Sequence, residues 1–164
     1  MAIVNTKATA VGNADSIPTV ITNRILTRGP SMRAVGVVAK AAGDNDTSVF
    51  RFVRVPSNAR IVSINRMNTA ITAGTSYQIG VHETAANGGA AVSAGLFAAT
   101  QDLSAASTGT PSRYLASAIT TAEQPLWQLL GLSADPRKDY DITMTGVTVG
   151  TGAGSIAMEV DYTA

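Results

Sequence analysis

The feature that most constrains this chain is a series of short apolar runs that alternate every second residue and are separated by turn residues, with almost no 3.6-residue periodicity. The cleanest run places Tyr77, Ile79 and Val81 on one face and Gln78, Gly80 and His82 on the other. The same beat returns twice near the end. Tyr140, Ile142 and Met144 alternate with Asp139, Asp141 and Thr143, and Ile156, Met158, Val160 and Tyr162 alternate with Ala157, Glu159 and Asp161. The Gly- and Thr-rich stretch from Gly146 to Gly154 predicts that these last two strands are antiparallel neighbours, with one face in the core and the other acidic.

Earlier strands are marked by turns as much as by apolar residues. Val37 and Val38 open a run that stops at Gly43-Asp44-Asn45-Asp46, and Thr47 to Val55 follows as a β-rich segment. Strict alternation puts Phe50 and Phe52 on one face of it and Arg51, Val53 and Val55 on the other. Pro56-Ser57-Asn58 then turns the chain into Ala59 to Asn68, where Val62 and Ile64 are expected to point inward. Arg60 and Arg66 flank them at the strand ends, with heads placed to reach water or a partner. Residues 85–113, rich in Ala, Gly, Ser and Thr, read as long loops with a short pinned segment. Only Pro125 to Gly131 reads as a helix, with Leu126, Trp127, Leu129 and Leu130 as its apolar side. The sum is an all-β fold: an antiparallel β-sandwich over residues 34–164, with a jelly roll as the preferred topology and one short helix.

Residues 1–33 differ from the rest. Val11, Ile17, Val20, Ile21, Ile25 and Leu26 follow no sustained period, and Pro18 and Pro30 oppose helix. They predict an extended N-terminal arm with one short strand near Thr19 to Leu26; the alternative is that the segment folds back as the first strand of its own sandwich. Fully extended, the arm would reach on the order of 100 Å, far beyond the roughly 15 Å radius of gyration of the body.

Charge is sparse, at 14% of 164 residues, and uneven. Residues 1–66 hold nine Lys and Arg against three Asp, a balance of +6, whereas residues 67–164 hold three basic against eight acidic groups, a balance of −5. Chance placement of solvated charges accounts for this; so does docking of a basic arm on an acidic region of a neighbour. Nucleic acid would need clustered cations, but Arg24, Arg28, Arg33, Arg51, Arg54, Arg60 and Arg66 are spread over arm and strand ends. Arginine in preference to lysine suits planar contacts with protein, so protein is the expected partner and nucleic acid is not. No run nears the roughly 18 apolar residues that span a bilayer, and the start lacks the pattern of a secretory signal, so no membrane partner is expected.

The chain offers little chemistry. With no cysteine, thiolate metal sites and cysteine nucleophiles are excluded. His82 is the one histidine, no G-x-S-x-G elbow accompanies it, and it reads as a surface or strand-packing residue. Asp44-Asn45-Asp46 looks like the start of a calcium loop, but Val49 and Val55 stand where the loop needs Gly and Glu, so a turn is expected. Asp135, Asp139 and Asp141 could gather round a cation, yet Arg137 and Lys138 beside them favour solvated charges. Glu83, Glu123 and Glu159 could serve glycoside hydrolysis, but the few aromatic residues are mostly expected in the core. No P-loop or dinucleotide fingerprint is present. No catalytic residue, metal or cofactor is expected, and the chain reads as not an enzyme.

Three segments carry a family resemblance: FRFVRVPSNARIVSI from Phe50, YQIGVHET from Tyr77 and PLWQLLGLSADPRKDYDI from Pro125. Together they resemble the head decoration, or cement, proteins of tailed bacteriophages, over about residues 36–164. The resemblance implies a structural virion protein made in the host cytoplasm and bound in many copies to the outer capsid surface. Its partners would be the major capsid protein and itself, as a homodimer or homotrimer. It implies no catalytic residues. Interface candidates on this reading are Arg24, Arg28, Arg33, Arg60 and Arg66, with the arm as a capsid anchor. Other readings are a head-fibre base or tail component, and a carbohydrate-binding jelly roll.

Overall fold

The computed structural model describes residues 29–164, together with residues 7, 8, 11, 13, 15–18 and 20. Of the expected strand near Thr19 to Leu26 only Val20 is described, and it is not in a strand; the rest of that segment and the arm arginines Arg24 and Arg28 lie outside the described residues.

Eight strands form the body: β1 Ser31–Lys40, β2 Val49–Pro56, β3 Arg60–Asn68, β4 Ser76–Glu83, β5 Ala91–Gln101, β6 Ser107–Pro111, β7 Asp139–Thr148 and β8 Gly154–Thr163. They make two four-stranded sheets, ordered β1-β8-β3-β6 and β2-β7-β4-β5. All pairings are antiparallel, and β1 pairs with β8, β2 with β7, β3 with β6 and β4 with β5. This nested set is what results when one long hairpin, with its tip between β4 and β5, is rolled until β8 also meets β3 and β7 meets β4. The antiparallel sandwich is therefore a jelly roll. β1 begins at Ser31 and includes Arg33.

The core lies between the sheets and uses the alternation read from sequence. Tyr77, Ile79 and Val81 of β4, Tyr140, Ile142 and Met144 of β7, and Ile156, Met158 and Val160 of β8 are all buried. In the body a short α-helix, α1 (Leu126–Leu129), buries Leu126. The amides of Leu126 and Trp127 donate to the carbonyls of Ala59 and Ser57 at 2.8 and 3.0 Å, which fastens the helix to the β2–β3 turn.

Four expectations are corrected. Register shifts between Arg51 and Val53 in β2, so Phe50, Val53 and Val55 all enter the core while Phe52 sits half-buried at the bulge. A bulge adds one residue and inverts the alternation beyond it. It also brings the Phe52 carbonyl against β1, where a Cβ on Gly36 would lie 2.2 Å from the Phe52 oxygen. In β3 the shift falls between Ile61 and Ser63, so Ile61 and Ile64 point inward and Val62 points to solvent. Residues 85–113 contain β5 and β6 rather than long loops. Finally, β7 and β8 lie in different sheets, because residues 149–153 cross the gap of roughly 10 Å between packed sheets instead of forming a hairpin turn.

Candidate functional site

The two outer faces of the sandwich differ in kind. On the second sheet, Asp141 is only 4% exposed. Its carboxylate accepts from Arg51 Nη1 and from Arg54 Nε, both at 2.8 Å. Arg51 also donates to the carbonyls of Glu83 and Gly89 at 2.7 and 2.8 Å. Burial works against the charged form of Asp141, but the hydrogen bonds and charges of Arg54 and Arg51 outweigh it and hold the carboxyl below its ordinary range. Next to it His82 is buried, with Nδ1 2.7 Å from Thr143 Oγ1. Burial, then the charge of Arg51, lowers its pKa, with Asp141 opposing. This histidine packs a strand.

The first sheet presents a different surface. The register of β1, β8 and β3 lays out three cross-strand rows: Arg33–Asp161–Ser63, Val35–Glu159–Asn65 and Val37–Ala157–Met67. Val35 is 58% and Val37 70% exposed. One end of the face is therefore charged and the other apolar. At the charged end Arg33 Nη1 meets Glu159 Oε1 and Arg33 Nε meets Asp161 Oδ1, each at 2.8 Å. The Arg33 hydrogen bond and that of Ser63 hold Asp161 below the usual carboxylate range, against a small opposing effect of burial. At the apolar end a shallow groove of about 300 Å³ runs beside Val37, Met67 and Ala157. A second groove, of about 360 Å³, opens between β3 and the segment after β6, against Val62, Ile64, Pro111, Arg113, Tyr114 and Leu115.

The structure disperses the arginines singled out in the sequence. Arg33 lies on this face, largely exposed, and is engaged by its own chain's acids. Arg60 is half-exposed at the start of β3 and donates to the Glu123 carbonyl at 2.9 Å. Arg66 does not reach water. It is buried and donates to Asn68 Oδ1, the Asp102 carbonyl and Thr110 Oγ1. Sequence reasoning missed Val35 and Val37, whose signal was a run between Arg33 and Lys40 that is apolar on both faces. It also missed Arg113, the lone charged residue between Leu103 and Ala122.

Of the acidic residues singled out as cation candidates, Asp135 and Asp141 are engaged within the chain. Asp135 accepts from Ser57 Oγ and from the Arg137 amide, Asp141 is held by its arginines, and among the described residues no cluster of three or more metal-ligating side chains occurs. No described helix is long and apolar enough to cross a membrane.

The fold and its faces define an eight-stranded jelly roll whose first sheet has an outer face charged at one end and apolar at the other. Among solved structures it is similar to a chain of the cyanophage Pam1 capsid asymmetric unit, at a TM-score of 0.51 and 16% identity, covering 82% of this chain and 85% of that one. A chain in the acid-stable capsid structure of the Helicobacter pylori bacteriophage KHP30 matches at a TM-score of 0.43 and 12% identity, covering 82% and 94%. At this identity the likeness is one of fold. No protein-family model matches the sequence, and no curated protein matches it.

Proposed function

We propose that this chain is a structural virion component that coats the outer surface of a phage capsid in many copies and ties neighbouring major-capsid subunits together. The observation that carries the reading is the outer face of the first sheet. Val35, Val37, Met67 and Ala157 form an apolar patch on a rigid scaffold, beside the Arg33 network. A contiguous exposed apolar patch with a polar rim is the usual mark of a protein–protein contact. The likeness of fold to a chain of the Pam1 capsid asymmetric unit supports placing that contact in a capsid. Arg33 and Arg60 serve the rim in this reading, and the residues before β1, Arg24 and Arg28 among them, supply an anchoring arm. A homodimer or homotrimer engaging several shell sites at once gains avidity without a larger interface.

The test is the copy number of the chain in purified particles, relative to the major capsid protein, by quantitative mass spectrometry. Hundreds of copies support a shell component. A handful would move the chain to a tail or head-fibre base, and absence would end the virion reading. For the contact itself, replacing both Val35 and Val37 with Lys, which sets an opposite charge against Glu159 across the ladder, is expected to weaken shell binding on the order of 100-fold while leaving the thermal midpoint nearly unchanged. Shell binding equal to that of the unaltered chain would remove this face from the interface.

A further inference from the structure

Arg113 follows β6 and is only 3% exposed. Its Nε donates to the Ile61 carbonyl at 3.0 Å and its Nη1 to Ser117 Oγ at 2.5 Å. The guanidinium carbon lies 5.0 Å from the centre of the Phe97 ring and 4.5 Å from that of Tyr114. Nη2 is buried and has no hydrogen-bond partner, and no carboxylate of the described residues pairs with this cation. A guanidinium keeps its charge inside a protein, and a buried charge without a counter-ion is strongly unfavourable. The two aromatic faces offset part of that cost and cannot accept the remaining N–H bond as a carboxylate would.

The same residue lines the larger groove on the outer face of the first sheet, whose other walls include Val62, Ile64, Pro111, Tyr114 and Leu115. Val62 is 55% and Leu115 57% exposed at its lip. Apolar walls with a cation short of one acceptor are complementary to a carboxylate on an apolar body. A nucleic-acid backbone does not fit this description, because it needs a row of accessible cations rather than one buried among apolar groups. An acidic residue beside an apolar one in a protein segment does.

We propose that this groove seats an acidic segment of a capsid-shell subunit, its carboxylate meeting Arg113 and a neighbouring apolar side chain lying between Val62 and Leu115. The inference rests on the shell-binding reading above and adds to it the recognition chemistry. A contact of this kind gives register, since an apolar patch alone can slide whereas a single buried charge pair fixes one position.

The experiment binds the full chain carrying Leu115→Lys to shells assembled without this protein, then adds a water-soluble carbodiimide and maps products by mass spectrometry. The reagent joins an amine to a carboxylate only when the two already touch. The expected result is an amide between the introduced amine and an Asp or Glu of the shell subunit. A bound chain that forms no such amide, or links only to another copy of itself, overturns the proposal and leaves shell binding standing. Failure of the unaltered chain to bind shells overturns both. As a second variant, Val62→Glu with Leu115→Glu adds repelling charge at two exposed positions and is expected to weaken shell binding on the order of 100-fold. Unchanged affinity there also counts against the groove.

Discussion

A Gly80→Ala chain is expected to lose about 3 kcal/mol of stability and roughly 6–12 °C in thermal midpoint. Gly80 lies in β4, between β7 and β5. Against β5, three residues of β4 from Ile79 to Val81 face six of β5 from Ser93 to Ala98, so the longer strand folds over its neighbour. A Cβ on Gly80 would sit 2.0 Å from the Ser93 oxygen and 2.4 Å from the Ala94 carbonyl carbon. Those are backbone atoms, so no rotamer change relieves the overlap and the ladder itself must move. Gly109→Ala, with nothing within 4 Å of the added carbon, is the matched control and should shift stability by about 0.5 kcal/mol or less. Calorimetry on the two chains decides the matter. Equal midpoints would mean that β5 does not lie against Gly80.

The second large effect centres on Asp141. Asp141→Asn keeps the shape and removes the charge that Arg51 and Arg54 share, and the expected cost at pH 7 is about 2 kcal/mol. That figure is below the usual cost of breaking a buried pair because the Arg54 side chain is more than half exposed and solvent screens it. Its pH dependence has a definite sign. Asp141 is held below its ordinary value of 3.8 in the folded chain, so its contribution is present above that value and disappears as pH falls through the lower folded pKa. His82, lowered from 6.5, acts in the same direction but earlier, since the unfolded chain takes up its proton first as pH falls below about 6.5. Urea titrations from pH 7 downward should therefore show stability declining first through His82. The gap between the unaltered and Asp141→Asn chains should close only in strong acid. A gap independent of pH would mean that the arginines do not depend on this carboxylate's charge.

Legibility followed regular pairing. The core positions of β4, β7 and β8 could be read because each keeps an unbroken two-residue beat through its apolar residues, and α1 because Pro125 and Gly131 bracket it. Bulges hid the rest. An extra residue at Phe52 or Val62 leaves no mark on composition, yet it reverses which side chains face the core. β5 escaped notice because small residues carry little apolar contrast and its register shifts three times along β4. The β7–β8 hairpin was the wrong inference because a Gly-rich connection is equally fit to turn or to cross. At the surface, Arg33 and Arg60 were expected within reach of water or a partner and are exposed and half-exposed respectively, whereas Arg66, expected beside them, is buried. Burial of a charge depends on which loop covers it, here the segment around Asp102, and that is set by tertiary packing.

The nested pairing of strands has a consequence for synthesis. Ser31 pairs with Thr163, and β8 lies inside its sheet between β1 and β3. β1 and β3 have no partnership with each other until β8 is in place, so the first sheet closes only after residues 154–163 have left the ribosome. Long-range pairing of this kind is slow and leaves strand edges open while it waits. A chain broken off before Gly154 cannot assemble the rows formed by Val35 and Val37 with Ala157, and it keeps an open sheet that proteases can enter. The topology thus ties the outer face to β8: only a chain translated through that strand presents the finished rows.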